Sequence, residues 1–163
     1  PGLCDAHVML GAVSIAAGLR RHLRSSIPVV SRVAVPFSAA GRLAAVVSVK
    51  SPRAGDAKRV ILAGLSAVTL IKQVVVVDDD IDPWDERAVA WAIHTRARME
   101  RDMVVTEGQR TDRSEPIEQE GLVCKWGIDA TKKTSDRPDW RRAMPDQTAM
   151  ETAKTLLNRL GLA

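Results

Sequence analysis

The sequence predicts an α/β fold: one domain with a mixed, mostly parallel sheet of about four to five strands flanked by helices, and an amphipathic helix at its C-terminal end. Short runs of β-branched residues at 29–35, 42–50, 73–77 and 102–106 alternate with segments of helical periodicity. The run at 73–77 is continuously apolar, which is typical of a central strand covered on both faces. The chain has 163 residues, 45% of them hydrophobic and 27% charged, which suits a single domain over 1–163.

Apolar residues at helical spacing predict three helices among these strands, at 8–24, 55–65 and 85–98. Pro36 and a short turn separate the first two strands, so we expect them to form a hairpin. The strand–helix–strand segment from 73 to 106 has the length of a βαβ unit. We therefore expect its two strands to be parallel, with a right-handed crossover.

The C-terminal part of the chain changes character. Residues 106–145 are rich in charged residues and proline, and we expect a long polar loop region there. A terminal helix is predicted at 146–161, with an apolar stripe formed by Met150, Ala153, Leu157 and Leu160. This helix could pack on its own domain or on a neighbouring subunit, and the sequence leaves both arrangements open.

Charge and composition restrict the class of partner. Residues 1–77 hold ten Lys or Arg and two Asp, whereas the rest of the chain is net acidic. With no Tyr and one Phe, the chain lacks the stacking residues typical of nucleic-acid binding, and the charge asymmetry suits docking to another chain. We expect no nucleic acid, no membrane span and no signal peptide, hence a cytoplasmic protein. Because the chain starts at Pro1, we expect it to come from something longer.

Two cysteines, Cys4 and Cys124, lie far apart in the sequence. Their spacing matches no metal or redox motif, so free thiols in a reducing compartment are the simplest interpretation. A disulfide between them stays open. The three histidines lie on separate elements, and no nucleophile elbow or phosphate-binding glycine motif is present.

An aspartate cluster directly follows the central strand and is the sharpest local feature. It consists of Asp78, Asp79, Asp80, Asp82 and Asp85. Carboxylates at the carboxyl end of a parallel strand lie where open α/β sheets bind ligands, and oxygen ligands suit Mg²⁺ or Ca²⁺. The structural interpretation is that one Asp caps the next helix, others bind backbone amides or an Arg, and the rest are solvated. We favour the structural interpretation over a metal-dependent enzyme, and we expect Trp84 and Trp91 to pack in the core or an interface.

Two segments in order resemble the C-terminal region of the UbiD-family decarboxylases. The first is KQVVVVDDDIDPWD at 72–85, followed by 88–96 and 101–105, and the second is KWGIDATK at 125–132, similar to the family's Lys-x-Gly-Ile-Asp-Ala-Thr-Lys segment. Residues 46–50 and 55–60 fit the stretch before them. The resemblance covers nearly the whole chain. Residues 108–116 depart from it, because they replace the family's small-residue-rich Leu-Asp-Pro loop.

The resemblance implies a (de)carboxylase acting on aromatic, heteroaromatic or α,β-unsaturated acids. It also implies prenylated FMN, Mn²⁺ and K⁺ for the complete enzyme, bound with the catalytic residues in a flavin-binding domain that these residues do not include. That domain would belong to the same full-length chain or to a separate subunit. No catalytic, cofactor-binding or metal-binding residue is therefore carried over to this chain, and we expect it to be inactive alone.

The part present resembles the oligomerisation and active-site-capping domain, which implies a homodimer or higher oligomer. The resemblance makes Trp126, Ile128 and Thr131 candidates for lining the substrate pocket. The candidates for structural or interface roles are Asp79, Asp80, Asp82, Trp84, Trp91 and Asp129. The alternative is a non-catalytic scaffold or binding protein that retains this domain.

Overall fold

The computed structural model describes residues 5–113, 115–133 and 145–161, with side chains from residue 10 onward. The strands and helices that it contains follow the predicted order, and the five strands agree with the predicted four to five, although 122–130 was not predicted as a strand. They are α1 (Asp5–Ser26), β1 (Val30–Ala34), a 3₁₀ helix (Phe37–Ala39), β2 (Ala44–Val49), α2 (Asp56–Ala67), β3 (Gln73–Asp78), α3 (Glu86–Arg96), α4 (Met99–Asp102), β4 (Met103–Arg110), β5 (Leu122–Ala130) and α5 (Gln147–Arg159).

The five strands form one sheet in the order β1-β2-β3-β5-β4. The central strands β2, β3 and β5 run parallel, and the edge strands β1 and β4 are antiparallel to their neighbours. The predicted mixed sheet and the predicted β1–β2 hairpin are both confirmed. Val74–Val77 are buried, as expected of a strand covered on both faces.

The prediction of a parallel βαβ unit over 73–106 was wrong. β4 pairs antiparallel with β5, which itself runs parallel to β3. The reason lies in α3, which ends where β3 ends: Arg96 in its last turn donates a hydrogen bond to Asp78. The chain has therefore already returned to the carboxyl end of β3 when β4 begins, and β4 can only run back across the sheet.

The prediction of a polar loop over 106–145 was also wrong for part of that region. β4 continues to Arg110, and β5 occupies Leu122–Ala130 between β3 and β4. Charged residues inside β5 hid the strand from a search for apolar runs. Lys125 is one of them, and it is buried with its ammonium group bound to two carbonyl oxygens. Residues 134–144 lie outside the described ranges.

The two faces of the sheet carry different helices. α1 and α2 cover one face, where Leu19, Leu23 and Ile61 pack with Val47 and Val74. α3 covers part of the other face in a smaller cluster. This arrangement confirms the prediction of helices on both sides of the sheet.

The approach of α2 to the sheet depends on a glycine in β5. A Cβ atom added at Gly127 would lie 2.4 Å from Ile61 Cγ2 and 2.8 Å from the carbonyl oxygen of Val74. Because no side chain fits at that distance, glycine at this position sets how closely helix and sheet can pack.

The chain divides into two compact units, residues 1–133 with the sheet and residues 134–163 with α5. α5 begins at the Asp146 cap, whose side chain accepts a hydrogen bond from Ala149 N over 2.7 Å. The predicted terminal helix is thus present. Its apolar residues Met150, Leu157 and Leu160 are between 41% and 61% exposed. No helix in the described ranges is long and apolar enough to cross a membrane.

Candidate functional site

The acidic loop after β3 uses two of its five aspartates to start α3. Asp85 is the N-cap of that helix, and its Oδ1 accepts hydrogen bonds from Arg87 N at 3.0 Å and Ala88 N at 3.1 Å. Asp82 Oδ1 accepts one from Trp84 N at 3.2 Å, which fixes the turn before the cap. Asp85 thereby satisfies backbone N–H groups that the start of a helix leaves without a partner.

Arg96 binds two more of these carboxylates from the last turn of α3. Its Nη1 donates to Asp78 Oδ2 and to Asp80 Oδ1, both at 3.0 Å, and its Nη2 donates to Asp80 Oδ2 at 2.9 Å. The guanidinium also lies 5.1 Å from the ring centre of Trp91. The side chain of Arg96 is only 6% exposed. Its charge is buried, and the two carboxylates compensate it.

A second cation completes this group, which we call the Arg96 network (Asp78, Asp80, Arg96 and Lys132). The backbone N–H of Lys132 donates to Asp78 Oδ2 over 2.7 Å, and its Nζ lies 2.8 Å from Asp80 Oδ2. Lys132 follows β5 by two residues. The network therefore joins the carboxyl ends of β3 and β5 to the end of α3.

The pKa values of the two carboxylates in the Arg96 network shift in opposite directions. Burial raises the pKa of Asp78 above its ordinary value of 3.8, although the Lys132 N–H and the Arg96 charge oppose that change. The hydrogen bonds from Arg96 lower the pKa of Asp80 to about 2, and Lys132 adds to this effect. The ionised form of Asp80 is stabilised more than that of Asp78, because the Asp80 side chain is 43% exposed and loses less hydration. The Asp78 side chain is 15% exposed.

Asp79 points to a different element, the β1–β2 hairpin. Its Oδ1 accepts a hydrogen bond from Ser31 Oγ at 2.7 Å, which lowers its pKa below 3.8. Arg32 donates to the carbonyl oxygens of Asp79 and Ile81 at 2.9 and 3.1 Å, and it lies 3.6 Å from an oxygen of Asp82. Asp79 and Asp82 therefore link the acidic loop to β1.

Along β5, successive side chains of the KWGIDATK segment (residues 125–132) face opposite sides of the sheet. Lys125 and Gly127 face α2, where Lys125 Nζ donates to the carbonyl oxygens of Leu65 at 2.9 Å and Val68 at 3.2 Å. Burial lowers the pKa of this lysine. The carbonyls that it binds lie at the C-terminal end of α2, where the helix dipole favours a cation.

The other residues of the segment lie toward α3 or at the strand end. Ile128 is buried in the α3-side cluster, and the half-buried Trp126 packs against the same cluster. Asp129 Oδ1 accepts hydrogen bonds from Thr131 N at 3.0 Å and Thr131 Oγ1 at 2.6 Å, and it lies 2.9 Å from Lys133 Nζ. Thr131 is 4% exposed. Of the three pocket candidates, Trp126 and Ile128 lie on β5 and Thr131 directly follows it, and their contact with a substrate stays a prediction.

The acidic loop has no set of ligands for a metal. Within the described ranges, no group of three or more His, Cys, Asp or Glu side chains converges in a way that could hold a metal ion. The carboxylates are distributed among Arg96, Lys132, Ser31 and backbone N–H groups instead. These contacts support the structural interpretation of the cluster and give the metal hypothesis no support.

The carboxylates of the acidic loop could be identified from the sequence, but the cations that bind them could not. Arg96, Lys132 and Arg32 come from three different elements and meet the loop only in the folded chain. One signal was available: a basic residue in the last turn of α3 suits the helix dipole. Both cysteines were expected to be free thiols. Cys124 is an exposed free thiol, and Cys4 lies outside the described residues.

Relatives with known names match most of this chain and a minor part of their own length. An anhydromevalonate phosphate decarboxylase from Aeropyrum pernix is 36% identical over 126 residues, which are 77% of this chain and 29% of that protein. A protein of the same name from Archaeoglobus fulgidus is 44% identical over 87 residues, 53% of this chain and 20% of that protein. The chain therefore spans about a third or less of such relatives.

Solved structures give the same result. The UbiD-class enzyme HmfF from Pelotomaculum thermopropionicum, solved in complex with FMN, is 30% identical and superposes with a TM-score of 0.83 over 91% of this chain and 34% of that one. Vanillic acid decarboxylase from Sedimentibacter hydroxybenzoicus in its closed form is 25% identical, with a TM-score of 0.73 over 94% of this chain and 33% of that one.

The model of one protein family matches residues 8–130, which contain the whole sheet, the acidic loop and Arg96. The chain belongs to the family of the 3-octaprenyl-4-hydroxybenzoate carboxy-lyase C-terminal domain, found in UbiD-type decarboxylases.

Proposed function

We propose that this chain is the oligomerisation and active-site-capping part of a UbiD-type decarboxylase whose reactive groups lie in a flavin-binding domain outside these residues. One observation carries the proposal: nearly all of the chain corresponds to about a third of an enzyme that was solved with FMN. The prenylated flavin supplies an acceptor for the electron pair that the departing CO₂ leaves on the substrate. The present residues would orient the neighbouring domain and exclude water from the pocket.

The α3 side of the sheet is the surface that we propose for self-association. The rings of Phe37 and Trp84 are 6.2 Å apart, and the two residues are 46% and 45% exposed. A cleft of about 180 Å³ continues from Pro36 and Pro83 along α3. Exposed aromatic residues beside an apolar cleft are typical of the central part of a protein interface.

Self-association through this surface is tested by Trp84→Ser. We expect the variant to shift the complete protein toward smaller species, as measured by sedimentation velocity, with a dissociation constant raised at least tenfold. Leu62→Ser is the matched control, because Leu62 is 50% exposed but lies on α2, across the sheet. Equal behaviour of the two variants would contradict the assignment of this surface.

Capping is proposed for β5 and the residues that directly follow it. The pocket candidates are Trp126, Ile128 and Thr131, and the most exposed of them is Trp126. The related vanillic acid decarboxylase was solved in closed and open forms, which supports a domain movement as the origin of capping in this type of enzyme. In the complete enzyme we expect Trp126→Ala to raise KM more than it lowers kcat, because it removes apolar surface from the closed pocket.

For the substrate we propose a non-aromatic α,β-unsaturated acid. The relatives named for anhydromevalonate phosphate, a dehydrated hydroxy acid, are 36% and 44% identical, whereas vanillic acid decarboxylase is 25% identical. The test is CO₂ release by the complete enzyme from anhydromevalonate phosphate and from vanillic acid at equal concentration. A preference for the aromatic acid would contradict this substrate class and leave the assignment as a decarboxylase intact.

A further inference from the structure

A buried ion pair lies at the amino end of the sheet, opposite the Arg96 network. Lys72 precedes β3, and Glu115 lies in the β4–β5 connection, which comprises residues 111–121 (residue 114 is not described). Glu115 Oε1 accepts a hydrogen bond from Lys72 Nζ at 2.6 Å. The Glu115 side chain is 0% exposed, whereas that of Lys72 is 24% exposed. A carboxylate buried to this degree needs a partner for its charge.

Few partners satisfy the Glu115 carboxylate. The N–H of Ile117 donates to Oε1 at 3.4 Å, and this bond lies within the connection itself. The other oxygen, Oε2, is buried and accepts no hydrogen bond from any residue that the structure describes. The ammonium group of Lys72 is therefore the cation that makes the burial of this side chain tolerable.

The β4–β5 connection also folds on itself. Thr111 N donates to the carbonyl oxygen of Gly121 at 2.9 Å, and Gly121 N donates to Glu118 Oε2 at 2.6 Å. Toward the rest of the sheet unit, Thr111 Oγ1 donates to the carbonyl oxygen of Thr69 over a long 3.4 Å. The local bonds preserve the shape of the connection, and the Lys72–Glu115 pair attaches it to the segment before β3.

The attached connection forms one wall of an open surface groove of about 540 Å³. Ile117, Gln119 and Glu120 contribute from the connection, and Leu122 and Cys124 contribute from β5. We infer that the Lys72–Glu115 pair is a conformational latch that holds the β4–β5 connection against the amino end of the sheet and keeps this groove formed. When the pair is broken, Glu115 leaves the interior to become hydrated, and the wall moves with it.

The latch is tested in the full chain by hydrogen–deuterium exchange of peptides that cover 111–121. We expect Lys72→Met to accelerate exchange there at least tenfold while the peptides of β2 and β3 keep their rates. Lys132→Met is the matched control: Lys132 forms a comparable pair with Asp80 at 2.8 Å, but its side chain is 55% exposed and lies at the other end of the sheet. It should leave exchange in 111–121 unchanged.

A double variant separates the latch from a general loss of stability. Lys72→Met combined with Glu115→Leu removes the unpaired charge, so we expect slow exchange in 111–121 to return. If Lys72→Met does not fold, a folded, protected double variant supports the latch. Unchanged exchange in a folded Lys72→Met, or a double variant no better than the single one, would overturn it.

Discussion

At the carboxyl end of the parallel strands, Arg96 is shared by two carboxylates, and Lys132 supplies a second cation and a backbone N–H. At the amino end, Glu115 has Lys72 as its counter-charge, and one of its oxygens accepts no hydrogen bond from the described residues. The first arrangement is redundant and partly hydrated, whereas the second has one ion pair. The carboxyl end therefore joins three elements through several charged contacts, and in the proposed latch the amino end can be released.

The largest effect is expected from removing the centre of the redundant end. In Arg96→Met, only Lys132 remains to compensate the charge of the largely buried Asp78 carboxylate. We therefore expect the free energy of unfolding to fall by about 3 kcal/mol. Urea unfolding followed by circular dichroism measures this change. Arg32→Met is the control, because Arg32 is 45% exposed and should cost less than about 1 kcal/mol. Similar costs for both variants would refute a special role of the Arg96 network.

A slightly smaller effect is expected at Gly127, which lies on β5 between the two ends. Gly127→Ala places a Cβ 2.4 Å from Ile61 Cγ2, so α2 must shift or the strand must bend. We expect a loss of about 2 kcal/mol, the usual cost of overpacking a filled core. Combining it with Ile61→Ala, which removes the two γ carbons that the new Cβ would meet, should cost less than the sum of the two single variants in the same unfolding assay. Strictly additive costs would mean that the strain arises elsewhere.

The smallest effect comes from Asp80, and it depends on pH. The pKa of Asp80 is about 2, below its ordinary value of 3.8, so its stabilising contribution is present above about pH 4 and disappears as the pH falls through 2. Asp80→Asn should therefore cost about 1 kcal/mol at pH 7, a value reduced for solvent screening because the side chain is 43% exposed. The cost should shrink toward zero near pH 2.

Unfolding of wild type and Asp80→Asn at pH 7, 4 and 2.5 gives that profile. In the wild type, Asp78 opposes the loss of stability at low pH. Its pKa is raised in the folded state, so its protonation stabilises the fold as the pH falls. Because the Asp80 charge helps to raise the pKa of Asp78, the difference between the two proteins reports Asp80 together with its effect on Asp78. A difference that is constant from pH 7 to 2.5 would show that the carboxylate charge is not what stabilises this end.

The sequence was sufficient for the elements whose apolar pattern is regular. β3 and the helices on either side of it were predicted close to their observed bounds, because Val74–Val77 and the helical repeats of α2 depend only on local spacing. β5 was missed, because Lys125 and Asp129 interrupt its pattern and are satisfied by α2, Thr131 and Lys133, which lie beside β5 only in the fold. For the same reason the aspartates could be named from the sequence, but their partner Arg96 could not.

The central claim is that these residues assemble and close an active site whose reactive groups lie in another domain. Its most direct test is CO₂ release from anhydromevalonate phosphate by the 163-residue chain supplied with prenylated FMN and Mn²⁺, with and without the flavin-binding domain of the complete enzyme. We expect no release above background from the chain alone and turnover once the second domain is added. Sustained release by the chain alone would contradict the account.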